Sequence, residues 1–166
     1  MPITEQKNLQ GCIQEFCKEE LYRRNLISCR SCSGECTMGK DKTVTTKRML
    51  FATLPEILVF QMGRFEERKM STSTKIQKKT TNITFAREIE MDEESSQSPK
   101  RYCLYGVVNH GGSIHGGHYT ACVKVCGNTT ETWYNCSDAN VRVTSDPSCQ
   151  SSEAAYLLFY HRVPRS

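Results

Sequence analysis

Apolar positions near the start of the chain follow a helical spacing and then give way to short continuous runs. Residues 9–21 place apolar side chains near helical spacing, which predicts a short amphipathic helix. The members of this stripe are Leu9, Ile13, Phe16, Cys17 and Leu21. Residues 54–62 form a short, apolar and β-branched run, which predicts a core strand entered through Pro55.

The second half of the chain alternates strand-like runs with glycines and polar residues. We predict four strands, over residues 102–109, 118–125, 132–136 and 154–163, and a shorter strand within 82–89. Residues 66–79 are polar and predict an exposed hairpin or loop, and 93–100 predict a further exposed loop. Strands joined by short turns, with one helix at the start, indicate an α+β domain around an antiparallel sheet.

Composition points to a reduced, intracellular setting. The 166 residues, 37% of them hydrophobic, can build one core. The first ten residues are polar, so we expect neither a signal peptide nor a membrane anchor. Without secretion, ten cysteines indicate reduced thiols, some of them metal ligands, and we expect a cytoplasmic and/or nuclear protein.

Charge adds little to the picture. The net charge is +4, basic residues gather in 64–79, and 88–94 is acidic. No aromatic residues alternate with the basic ones to stack on bases, so we expect no nucleic-acid partner. Such charge runs are usually solvated faces.

Four glycines precede a histidine at the start of a predicted strand. Gly111, Gly112, Gly116 and Gly117 lie within seven residues, directly before His118. Glycine lets another backbone pass close by, and an imidazole suits proton transfer, so His118 can serve a groove for an extended peptide. The alternative is a flexible hairpin followed by an ordinary strand histidine.

A carboxylate closes the following predicted strand. Asp138 comes twenty positions after His118, and a hairpin returns it beside the imidazole. A carboxylate there can accept the imidazole N–H and fix the tautomer that acts as a base. Alone, Asp138 is as well explained as the cap of a turn.

These motifs, in this order, resemble the ubiquitin-specific proteases over residues 9–162, a partial catalytic domain. The resemblance rests on Tyr102-x-Leu-x-Gly-Val-Val-Asn-His110, Gly116-Gly-His-Tyr-Thr-Ala121, Trp133, Ser137-Asp138 and Ala155-Tyr-Leu-Leu-Phe-Tyr160. Residues 54–65 are similar to the family's core strand. The resemblance implies a papain-like fold, with a helix and partial fingers in 1–45, the antiparallel palm with the histidine box in 46–166, and a thumb that is largely missing.

The resemblance also implies roles for individual residues. His118 corresponds to the general base, Ser137 takes the place of the third triad member, and Asp138 is its possible substitute. The channel for the ubiquitin tail is expected to be lined by His110, Gly116, Gly117 and Tyr119. The implied partners are ubiquitin, ubiquitinated proteins and a missing N-terminal half of the domain, and catalysis needs no cofactor.

The family's nucleophilic cysteine has no counterpart among these residues. Cys12 and Cys17 fall in the predicted helix, and Cys136 falls on the wrong strand. A fragment that is inactive alone and a non-catalytic ubiquitin-binding module therefore both remain open. A disulfide-rich structural protein is a third possibility, disfavoured by the lack of a secretion signal.

Half of a zinc site is present. Cys29 and Cys32 resemble one pair of the family's finger-tip ligands, whereas a structural zinc site needs four. Elemental analysis of the purified chain is therefore expected to find clearly less than one equivalent of tightly bound zinc. Stoichiometric zinc would contradict this and reveal additional ligands, with Cys36 and Cys12 the first to test by substitution.

Overall fold

The computed structural model describes residues 1–3, 5, 7–22, 45–71, 73–127, 130–149 and 152–164. The helix is α1 (Leu9–Phe16), and a single 3₁₀ turn occupies Pro147–Cys149. The strands are β1 (Glu20–Tyr22), β2 (Thr45–Lys47), β3 (Ile57–Gln61), β4 (Phe65–Lys69), β5 (Thr74–Lys78), β6 (Glu88–Met91), β7 (Lys100–Ser113), β8 (Gly116–Cys126), β9 (Glu131–Ser137), β10 (Asn140–Thr144) and β11 (Ala155–Arg162).

A seven-stranded antiparallel sheet organises the fold around its longest strand. The strand order is β10-β9-β8-β7-β11-β3, and β6 also pairs with β7. The first residues of β7 pair with β6, and its later residues pair with β8, from Gly106↔Val123 to Ser113↔Gly116. The opposite edge of β7 pairs with β11 as far as Asn109. The α+β class with an antiparallel sheet, predicted from the sequence, is confirmed.

Alternation along the strands separates the core from an apolar outer face. In β3, Leu58 and Phe60 are buried, whereas Ile57 and Val59, which alternate with them, are exposed. The core side packs Phe60 edge to face against Tyr160, with ring centroids 5.8 Å apart. Exposed valines continue the outer face across the far strands, at Val125, Val141 and Val143.

The helix begins where the sequence predicts and ends earlier. Asn8 caps it, because its Oδ1 accepts the N–H of Gly11 at 2.7 Å. Leu9, Cys12 and Ile13 face the core, but the helix ends at Phe16. Leu21 belongs instead to the short strand β1 and is exposed, so no packing extends the helix that far. Among the described residues, no helix is long and apolar enough to cross a membrane.

Strand boundaries differ from the sequence predictions in several places. The predicted strand over 54–62 is confined to β3, the polar segment 66–79 forms the hairpin β4–β5, and β10 was not predicted. In β10, every side chain before Thr144 is exposed, so burial imposes no alternation there. The division between residues 45 and 46 stays a prediction, since 23–44 lie outside the described residues.

One fully buried cation holds three separate segments together. The side chain of Arg64, 0% exposed, donates through Nε to the carbonyl of Ala155 at 2.6 Å. Its Nη1 donates to the carbonyls of Lys79 and Thr81, and its Nη2 donates to that of Ser152 at 2.9 Å. Burial lowers the pKa of the guanidinium, and Glu153 partly offsets this. The guanidinium thereby fixes the base of β4–β5 against the entry to β11.

Replacing Arg64 with Met is expected to lower the free energy of unfolding by about 3 kcal/mol or more, because several buried carbonyls lose their donor. Urea denaturation followed by circular dichroism measures the change. The matched control is Arg142→Met on the exposed strand β10, expected to stay within about 0.5 kcal/mol of the unaltered chain. Equal destabilisation by the two substitutions would refute the structural role of Arg64.

Candidate active site

The glycine-rich segment is a paired hairpin whose two strands extend beyond the predicted bounds of 102–109 and 118–125. Strands β7 and β8 run through all four glycines, and only Ile114 and His115 form the turn. Ladder hydrogen bonds join main chains, so strands can continue where side chains are missing. Gly112 has φ of +98°, a conformation that other residues rarely adopt. The hairpin thereby gives His118 a fixed backbone on β8.

His118 meets the two polar residues at the end of β9. Its Nε2 lies 2.8 Å from the hydroxyl oxygen of Ser137, the last residue of that strand. The nearer carboxylate oxygen of Asp138 lies 4.0 Å from the same nitrogen. Asp138 sits in the turn between β9 and β10 with φ of +49°, and its side chain is 83% exposed. The neutral hydroxyl is therefore the direct partner, and the carboxylate is a solvated neighbour.

This arrangement leaves one imidazole nitrogen available for chemistry. When Nε2 carries the proton, Ser137 accepts the hydrogen bond and Nδ1 keeps its lone pair. Nδ1 is then the atom that can take a proton from a nucleophile. The imidazole is 53% exposed, so a group from outside the described residues can reach it.

The second histidine occupies a different environment. His110 is 4% exposed, and its ring centroid lies 4.7 Å from Tyr119, 5.7 Å from Phe65 and 6.2 Å from Tyr156. Its Nδ1 is buried and finds no hydrogen-bond partner in the part of the chain that the structure describes. Burial lowers the pKa of His110, and the ammonium of Lys78 lowers it further, which favours a neutral imidazole.

The neighbouring glycines serve different purposes. A Cβ on Gly117 would lie 2.2 Å from Nε2 of His110 and 2.4 Å from the carbonyl oxygen of Gly111. A Cβ on Gly116 would meet nothing within 4 Å. The imidazole of His110 therefore rests against the bare main chain of Gly117, whereas Gly116 borders open space. Tyr119 stacks on the same imidazole and remains exposed.

No thiol joins His118 in the part of the chain that the structure describes. The cysteines with described side chains are all free, and none hydrogen-bonds to His118: Cys12, Cys17, Cys103, Cys122, Cys126 and Cys136. Burial raises the pKa of the Cys122 and Cys17 thiols, which disfavours the thiolate. Cys29 and Cys32 lie outside the described residues, and within those residues no three His, Cys, Asp or Glu side chains are placed to hold a metal ion.

Three residues around His110 were not assigned to the site from the sequence. Phe65 and Tyr156 stand beside its imidazole, and Lys78 donates to its carbonyl at 2.5 Å. An aromatic residue at the entry of a polar segment could have indicated that Phe65 packs against another part of the chain. Lys78 is one lysine among several in a polar stretch, and nothing in the sequence distinguishes it.

Comparison with known proteins finds one family throughout. Residues 8–160 match the family model described as ubiquitin carboxyl-terminal hydrolase. The chain is 32% identical to ubiquitin carboxyl-terminal hydrolase nonstop of Drosophila melanogaster, covering 94% of this chain and 30% of that protein. It is 34% identical to ubiquitin carboxyl-terminal hydrolase 2 of Gallus gallus, covering 92% of this chain and 40% of that protein. It thus spans about a third of these relatives' length.

Solved structures give the same result. A SAGA DUB module of Ubp8, Sgf11, Sus1 and Sgf73 bound to monoubiquitin aligns with a TM-score of 0.80 and 26% identity. The alignment covers 99% of this chain and 35% of that chain. A second structure, of the yeast SAGA DUB module, aligns with a TM-score of 0.81.

Adding a methyl group at Gly117 tests the packing of this site. Gly117→Ala is expected to lower the free energy of unfolding by about 1–3 kcal/mol and to shift the NMR signals of both His110 and His118, because the new Cβ overlaps an imidazole and a carbonyl. Gly116→Ala is the control and should leave both measurements nearly unchanged, since its Cβ enters open space. Similar effects of the two substitutions would contradict the geometry.

Proposed function

Because this chain belongs to the ubiquitin carboxyl-terminal hydrolase family, we propose that it supplies the histidine side of a thiol protease site. The substrate is an isopeptide or peptide bond that follows the C-terminal glycine of ubiquitin. The contact of 2.8 Å between Nε2 of His118 and the hydroxyl of Ser137 carries this proposal, since it orients the imidazole for use as a base.

The fold agrees with the family assignment. The antiparallel sheet and its match to Ubp8 establish the papain-like ubiquitin-specific protease fold expected from the resemblance. Assignment of segments to fingers, palm and thumb stays a prediction. Ubiquitin is the natural partner to propose, since the Ubp8 structure contains bound monoubiquitin.

His118 acts in the proposed reaction through Nδ1. A cysteine thiol gives its proton to Nδ1, and the resulting thiolate attacks the carbonyl carbon of the terminal glycine of ubiquitin. The departing amine takes the proton back from the imidazolium, leaving ubiquitin on the sulfur as a thioester. Water then cleaves the thioester, which releases the ubiquitin carboxylate and regenerates the thiol. We propose that this thiol comes from polypeptide outside these 166 residues, such as the complementary half of a protease domain.

The residues beside His118 would bind the ubiquitin tail. Open space at Gly116 and the bare main chain of Gly117 leave room for an extended backbone. Tyr119 presents an exposed ring at the same place, held by stacking on the buried imidazole of His110. The proposed site therefore combines a proton acceptor with a narrow path for a peptide.

One observation favours a second candidate, a non-catalytic ubiquitin-binding module. Ser137 is neutral and stabilises an imidazolium less than a carboxylate does, whereas Asp138 is 4.0 Å away and mostly solvated. With so little negative charge beside it, His118 would be a less effective base, whereas the space proposed for the ubiquitin tail would be unchanged. The protease requires a reduced thiol, and the binding module requires no thiol. The free cysteines among the described residues are consistent with the proposed intracellular setting.

The isolated chain is expected neither to cleave a ubiquitin–amide reporter nor to be labelled by ubiquitin carrying a C-terminal electrophile, since no cysteine reaches His118 among the described residues. Adding an N-terminal family half that contains the cysteine box should restore turnover. Restored turnover should fall by at least about 100-fold in His118→Ala, which removes the base, and much less in Ser137→Ala.

The reconstitution and labelling experiments distinguish the protease from the binding module, and they also show when the proposal of an external thiol is wrong. Turnover on reconstitution supports the protease, whereas ubiquitin binding without turnover supports the binding module. Labelling of the isolated chain that is abolished by His118→Ala would show that one of its own cysteines is the nucleophile. The proposal of an external thiol would then be wrong.

A further inference from the structure

The hairpin that carries His118 has a main-chain edge that none of the described strands covers. Strand β11 pairs with β7 as far as Asn109, and the last hydrogen bond on this edge runs from His110 N–H to the carbonyl of Ala154 at 2.9 Å. Beyond this hydrogen bond, β7 continues through Gly111 and Gly112, but β11 does not accompany it, because β11 begins at Ala155, opposite Asn109. In an antiparallel strand, the N–H and C=O of one residue point to the same side, and alternate residues share that side. The carbonyls of His110 and Gly112 therefore face the uncovered edge.

A lysine from another hairpin occupies this edge. Nζ of Lys78 donates to the carbonyl of His110 at 2.5 Å and to the carbonyl of Gly112 at 3.1 Å. The ammonium thus supplies the donors that a neighbouring strand would otherwise provide. Because Gly111 and Gly112 have no side chains to pack, these hydrogen bonds restrain this edge of β7, while the ladder to β8 holds the other edge.

The position of Lys78 is itself set by its cross-strand partner. Lys78 and Phe65 are directly paired in the β4–β5 ladder, so their side chains project from the same face. Phe65 packs edge to face on the imidazole of His110, while Lys78 binds the carbonyl of the same residue. One pair of residues therefore holds both the side chain and the main chain of His110.

We propose that Lys78 is a positioning residue for the proposed reaction: it clamps the glycine-containing end of β7 and thereby fixes the backbone that carries His118. The link to His118 is direct, since Gly111 pairs with His118 and Gly112 pairs with Gly117 across the β7–β8 ladder. Lys78 touches no reacting atom. It binds two carbonyls of β7, and β7 pairs with β8, the strand that carries His118.

The test compares three variants of the 166-residue chain. Lys78→Met keeps the aliphatic stem and removes the donors, and Lys78→Arg keeps a cation with donors. Lys75→Met makes the same charge change on an exposed position of the same strand and is the matched control. None of the readouts involves ubiquitin.

Hydrogen exchange of the amides in residues 111–118 is the first readout. Lys78→Met should accelerate it by about 10-fold or more while exchange in β11 is unchanged, because only the hairpin loses its restraint. The second readout is the pKa of His110, measured by NMR titration. A general loosening of the fold would not by itself produce the expected direction of the pKa change. Removing the ammonium should raise the pKa of His110, because Lys78 is one of the two causes that lower it.

Each outcome decides the proposal. Lys78→Met should change both readouts and shift the ring signals of His118, whereas Lys78→Arg and Lys75→Met should stay within about twofold of the unaltered exchange rate. Equal behaviour of Lys78→Met and Lys75→Met would overturn the proposal. If Lys78→Met does not fold, Lys78→Leu also lacks the donors and keeps an aliphatic side chain. Unaltered exchange in Lys78→Leu together with an unmoved His110 titration would overturn the proposal.

The inference rests on the proposed function, because positioning matters only if His118 acts as the base. The two can nevertheless fail separately. A failed reconstitution of turnover would leave the clamp intact, and a failed exchange experiment would leave the role of His118 intact.

Discussion

A buried guanidinium must be given acceptors, and in this protein that requirement organises the region beneath the site. Arg64 is fully enclosed, and four main-chain carbonyls accept its hydrogen bonds. An unsatisfied cation in the core would be prohibitively unfavourable, so the segments that provide these carbonyls cannot move apart independently. They are the base of the β4–β5 hairpin and the entry to β11. The carbonyl groups supply directional acceptors without adding a second buried charge.

The position of the candidate site follows from that arrangement through a short series of contacts. Arg64 fixes the residue next to it, Phe65, which packs on the imidazole of His110. His110 in turn lies against the main chain of Gly117, and Gly117 is adjacent to His118. Each step is a packing contact or a peptide bond between neighbours, so the support runs without a gap from Arg64 to His118. The exposed end, at Ser137 and Asp138, is the less constrained part.

The sequence predicted the main features of the sheet and the approach of His118 to the end of β9. It could do so because apolar runs mark buried strands and because a hairpin returns a chain beside itself at a predictable distance. It could not predict that β7 and β8 pair through the glycines, since residues without side chains show no alternation. The sequence also could not predict that α1 ends at Phe16, because that end depends on which residues pack against the core. Leu21 matches the helical pattern but is exposed. The contacts of Arg64 and Lys78 are to carbonyl groups, and main-chain acceptors are identical at every residue, so charge patterns do not reveal them.

Gly116 and Gly117 are the same type of residue, but the fold constrains the two positions to different degrees. Position 117 favours glycine strongly, because a Cβ there would lie 2.2 Å from Nε2 of His110 and 2.4 Å from the carbonyl oxygen of Gly111. Position 116 has room for a side chain, so packing within the described residues does not require glycine there. A sequence search built on this site should therefore require glycine immediately before the histidine and leave the preceding position open. A relative that differs at 117 would have to place the imidazole of His110 elsewhere, and the surface beside the histidine at 118 would then have a different shape.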